Sequence, residues 1–108
     1  MSQLPIIEAA IRSLTPISFN YIRPDKNPGV RIGNPHAAFI RRVQSGEERA
    51  YLDLWQTDGV TDSGEDIPGW RKFHLNDIAS ATPLPDAAPF EIAEGYNAVS
   101  YEFPIAKV

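Results

Sequence analysis

The chain has no cysteine among its 108 residues. That excludes a disulfide framework, a cysteine-ligated zinc site and a thiol nucleophile. Histidine occurs twice and methionine once. A serine or threonine nucleophile would need His36 or His74 as its base, and neither stands in a Gly-x-Ser-x-Gly elbow. The two histidines have no ligand spacing relative to Asp53 or Asp77 that suits a metal. No apolar run approaches the roughly 20 residues of a membrane-spanning helix, and no basic-then-apolar leader precedes the first turn. Internal repeats and low-complexity tracts are absent as well. These absences lead to the expectation of a cytoplasmic, soluble, non-enzymatic protein without a cofactor. Its length suits one small domain with a single core.

The net charge is -4, but its distribution is uneven. From Arg12 to Arg49 there are seven basic residues against three acidic ones; from Ala50 onward, three against ten. This polarity permits a local anion-binding face and argues against broad phosphate-backbone binding. Alternatively, the two halves interleave in space and neutralise each other.

Residues 4–14 place Leu4, Ile7, Ile11 and Leu14 on one helical stripe, starting at Ser2 or the Leu4-Pro5 step and ending at Thr15-Pro16. Residues 17–22 alternate as a strand with Ile17, Phe19 and Tyr21 on one face. A polar turn follows at 23–29, then a short strand at 30–32. Gly33-Asn34-Pro35 reads as a break before a strand at 37–43 and a turn at 44–47. Residues 49–56 set Ala50, Leu52 and Leu54 opposite Tyr51, Asp53 and Trp55. Residues 57–69 form a long acidic loop whose carboxylate spacing does not fit a calcium loop, so a solvated loop is expected. Strands are expected again at 70–76 and 78–84. The proline-rich stretch 83–89 reads as the end of a compact unit, 1–90. The extension, 91–108, alternates at Val99, Tyr101, Phe103 and Ile105, which suits an ordered edge strand on this chain or on a second copy, hence a homodimer.

One helix followed by short strands at regular spacing implies a mainly β protein: a small, strongly bent antiparallel sheet or barrel, with the N-terminal helix plugging one side. Leu52, Leu54, Phe19, Phe73, Leu75 and Ile78 are its expected core, with Ile7 and Ile11 from the helix.

The stretch Trp70-Arg-Lys-Phe-His-Leu-Asn-Asp-Ile78 stands out. Arg71, Phe73 and Leu75 alternate onto one face, so an arginine ends a core face. It needs an anionic partner or a pocket mouth, unless its guanidinium snorkels to water at the sheet rim. Arg41-Arg42 is the strongest basic pair, but on a strand the two point opposite ways.

In this order of elements the chain resembles the WYL domain family, prokaryotic ligand-sensing modules with an Sm-like barrel fold. The resemblance runs from about Ile6 to Phe90. Ala10-Ile11 is followed by Ile17, Phe19 and Tyr21; Arg31 precedes Asn34-Pro35-His36-Ala37; Ala50-Tyr51-Leu52 stands for the naming tripeptide; Arg71, Phe73, Leu75 and Ile78 match the closing motif. The chain departs from the family at His36, Ala37, Ala50, His74, Asn76 and Asp77.

The resemblance implies that Arg31, His36, Tyr51 and Arg71 line a groove for a small anionic or nucleotide-like ligand. Arginine can grip a phosphate or carboxylate bidentately, tyrosine adds a donor and a stacking face, and histidine adds a titratable charge. It also implies a regulatory role in transcription or phage defence, exerted through another protein, by dimerisation, or directly on nucleic acid. The alternative is a single-stranded nucleic-acid-binding protein. Surface ion pairing for Arg31 and a solvent-facing sheet position for Tyr51 are the structural alternatives.

Overall fold

The computed structural model describes residues 3–62 and 64–108. Ser2, one of the two expected helix starts, lies outside them. Helix α1 (Leu4–Ser13) begins with proline in its first turn and ends at Leu14, whose left-handed φ of 56° closes the C-cap. Its stripe Ile7, Ala10 and Ile11 is buried. Six strands follow: β1 (Ile17–Tyr21), β2 (Val30–Arg42), β3 (Glu48–Gly59), β4 (Gly69–His74), β5 (Ile78–Pro83) and β6 (Phe103–Lys107). The fold is mainly β. One antiparallel sheet runs β4-β3-β2-β1-β5, with β6 also paired to β2.

The sheet bends but does not close into a barrel: β4 and β5 are the two ends of its path. A short 3-10 turn, Leu75–Asp77, carries the chain directly from one end to the other. That turn also corrects the expected strand at 70–76. Alternation stops at His74, and Leu75 enters the core from the turn.

The expected break at Gly33-Asn34-Pro35 is instead the bend of a single long strand. β3 pairs with β2 from Arg31 to Arg42, with register shifts at Ile32/Gly33 and Pro35/Ala37. Proline offers no N–H to the ladder, and His36 is the extra residue between Pro35↔Leu54 and Ala37↔Asp53. The bulge reverses the parity of β2. Arg31, Gly33 and Pro35 share the core side before it, and Ala38 takes the core side after it, opposite Leu52. Gly33 is needed at the first shift, since a Cβ there would lie 2.5 Å from a Leu54 methyl carbon. On its other edge β2 has two partners in succession: β1 along residues 30–33 and β6 along residues 37–40.

The core lies between α1 and the concave face, and holds Phe19, Leu52, Leu54, Phe73, Leu75 and Ile78 with Ile7 and Ile11. Phe19 and Tyr21 both meet the Phe73 ring edge-on. The proline-rich stretch does not lead away from this body. Leu84 N–H donates to Pro16 O, Phe90 N–H donates to Leu14 O, and Phe90 is buried. Residues 93–101 then cross the outer face of the sheet, where Trp70 Nε1 donates to Glu94 O and Tyr101 Oη donates to Asp53. No helix among the described residues is long and apolar enough to cross a membrane.

Candidate functional site

Arg31 and Arg71 come together. β2 aims Arg31 to the core side, and β4 brings Arg71 to the same region from the end of the sheet. They line one groove of about 270 Å³, with Lys26, Lys72, Tyr21 and Phe73. The Arg31 side chain has no exposed surface, and its guanidinium carbon lies 5.5 Å from the ring centres of both Tyr21 and Phe73. Two aromatic faces thus offset part of the cost of bringing this cation indoors.

The acidic loop supplies the counter-charges. Arg31 Nη1 and Nη2 donate to the two oxygens of Asp62 at 3.0 and 3.1 Å, and Nη2 also donates to Asn27 O at 2.9 Å. These hydrogen bonds hold the Asp62 carboxyl below its usual pKa. Asn27 ties the loops together, its N–H donating to Asp62 Oδ1 and its Nδ2 to Thr61 O, both at 2.8 Å. Arg71 Nη1 donates to Trp70 O at 2.8 Å and Nη2 to Asp66 O. Its Nε lies 3.4 Å from Glu65, close enough for ion pairing but not aligned for a hydrogen bond. The basic and acidic parts of the chain do therefore interleave, here and at the Arg23–Asp77 pair. The loop is partly a counter-ion and not simply solvated, as its composition suggests.

The pairing is incomplete. Arg31 Nε and Arg71 Nε are both buried without a hydrogen-bond partner. A buried donor left unsatisfied costs about 1–3 kcal/mol, so two in one groove mark a place where an acceptor would be welcome. Glu65 is 40% exposed and forms a weak, displaceable pair, whereas Asp62 is 15% exposed and firmly held.

His36 and Tyr51 are not part of this groove. His36 lies under residues 93–96, where it is fully buried against Trp70, Phe90 and Tyr96. Ala93 N–H donates to Nε2 at 3.0 Å, so the neutral ring carries its proton on Nδ1, which donates to Asn34 O at 2.8 Å. Tyr51 lies on the opposite, outer face, stacked on Phe39 and tilted against His74. Sequence reasoning missed Lys26, Tyr21, Asp62 and Glu65. Parity would have put Tyr21 on the core face, but nothing local links the two loops.

Burial lowers the pKa of His36, and also that of His74. A depressed folded-state pKa means the unfolded chain takes up protons first as pH falls. Stability is therefore full above about 6.5, the unfolded value, and declines below it. The expected result is a urea midpoint that falls between pH 8 and pH 5. In His36→Gln, whose amide oxygen can replace Nε2 as acceptor, the fall is smaller and the remainder belongs to His74. An undiminished slope in that variant would contradict the assignment.

No family model, no curated protein and no solved structure matches the chain.

Proposed function

We propose that this protein is a non-enzymatic binding module that holds a small anionic or nucleotide-like ligand in the Arg31–Arg71 groove. The observation that carries the reading is that Arg31 and Arg71 line one groove together with Lys26 and Lys72, each arginine keeping a buried Nε without a hydrogen bond. Arg31 is pre-oriented by Asp62 and Asn27, so little side-chain entropy is lost on binding. Arg71 would take up the ligand's charge in place of Glu65, which now pairs with it weakly. The resemblance to WYL domains extends the proposal to a regulatory output, exerted through a partner protein or a second copy of the chain.

Titration calorimetry with pyrophosphate and nucleoside phosphates tests it. Arg71→Ala is expected to weaken binding by at least about tenfold, the worth of one charge-assisted hydrogen bond. Its stability cost is expected to be about 2–3 kcal/mol, because two guanidinium hydrogen bonds to backbone carbonyls are lost with it. Unchanged binding together with a large loss of stability would make Arg71 a structural residue.

A second reading, single-stranded nucleic acid on the outer face, is favoured by one cluster. Arg41 and Lys72 each lie within about 6 Å of the ring centres of Phe39 and Tyr51. It requires oligonucleotide binding at physiological salt that weakens steeply as salt rises.

A further inference from the structure

A second cleft, of about 350 Å³, adjoins the groove and shares Trp70, Arg71 and Lys72 with it. Small-molecule sites occupy roughly 300–1,000 Å³, so the two cavities are marginal singly and ample together. Their chemistry differs. The first is cationic. The second has aromatic walls, Trp70 with Tyr96 and Tyr101, and a carboxylate, Asp53. Trp70 and Tyr96 lie nearly parallel, with ring centres 6.3 Å apart, too close for a ring to enter between them. A flat ligand would therefore stack on an outer aromatic face.

Asp53 is half-buried and receives a hydrogen bond from Tyr101 Oη at 2.7 Å. Among the described residues no cation forms an ion pair with it. An acceptor-only group with free lone pairs beside aromatic walls calls for a flat ligand with donors on its edge. Among the nucleobases, guanine alone presents two adjacent donors, N1–H and the 2-amino group. Adenine and cytosine each place a ring acceptor beside their amino group, which a carboxylate would repel. Lys72, in the same cleft, is a donor for the guanine O6.

We propose that this cleft is the base-recognition half of a guanine-nucleotide site, with Asp53 reading N1–H and the 2-amino group while the phosphate lies in the Arg31–Arg71 groove. The proposal rests on the anion-binding reading of that groove.

Calorimetry on the intact chain with GMP, IMP, AMP, ribose 5-phosphate, guanosine and pyrophosphate tests it without any variant. GMP is expected to bind at least about tenfold more tightly than AMP, as a bidentate edge contact discriminates. IMP, lacking the 2-amino group, should fall between them. Asp53→Asn should bring the GMP-to-AMP ratio close to one. If GMP, AMP and ribose 5-phosphate bind alike, the base cleft is refuted and the groove reading stands. If guanosine binds as well as GMP and pyrophosphate does not bind, the groove reading fails and the cleft stands. A preference for AMP, or no binding by any probe, overturns the proposal.

Discussion

Arg31→Ala should lower stability by about 3 kcal/mol, near the lower end for removing one partner of a buried ion pair. Three losses combine. The bidentate contact with Asp62 disappears, the bond to Asn27 O is lost, and the guanidinium packing against Tyr21 and Phe73 goes with them. Asp62 keeps a little solvent contact, which holds the loss near that lower end. The loop around residue 62 should loosen too, leaving Asn27 to hold Thr61 and Asp62. A urea midpoint shift at unchanged slope measures the effect. The double variant Arg31→Met with Asp62→Leu should recover part of it, since no charge is then stranded. A loss below about 1 kcal/mol would show that the pair is a surface contact in energetic terms.

The other large effect belongs to Leu52→Ala. Leu52 is fully buried, opposite Ala38 on β2 and Phe73 on β4. Ala38 is too small to fill the space that truncation would leave. The expected cost is about 2–5 kcal/mol. Against a total of about 5–15 kcal/mol for a domain, the variant would be partly unfolded at moderate temperature. Thermal and urea unfolding read the change directly. A loss under about 1 kcal/mol would mean that β3 is offset by one residue, which exchanges its two faces.

The part of this fold that was legible is the part governed by local periodicity. Phe19, Leu52, Leu54 and Phe73 alternate with polar or amphipathic neighbours, and all four are core. Two features defeated the same reasoning. Gly33-Asn34-Pro35 carries every local mark of a break, yet a twelve-residue partner strand holds β2 together across it. And at 30–32 hydropathy alone misplaces the faces: Val30 is half exposed while Arg31 points inward. An arginine buries there because an aspartate 31 residues later reaches it, and separation of that kind leaves no trace in a short window. The site was legible to the same degree. Arg31 and Arg71 share a groove, as their common place in the motif series suggests. His36 does not, because alternation from Arg31 already sets it on the other face, and the bulge changes parity only from Ala37 onward.

The succession of partners along one edge of β2 bears on how the chain assembles as it is made. Synthesis delivers α1, β1, β2 and β3 long before β6. During that interval residues 37–40, Phe39 among them, form an open strand edge with no neighbour to complete its backbone hydrogen bonds. Residues 103–107 fill the vacancy last, from the same molecule or, in a crowd of nascent chains, from an adjacent one. The strand that completes the sheet is thus also the strand whose exchange would link two molecules.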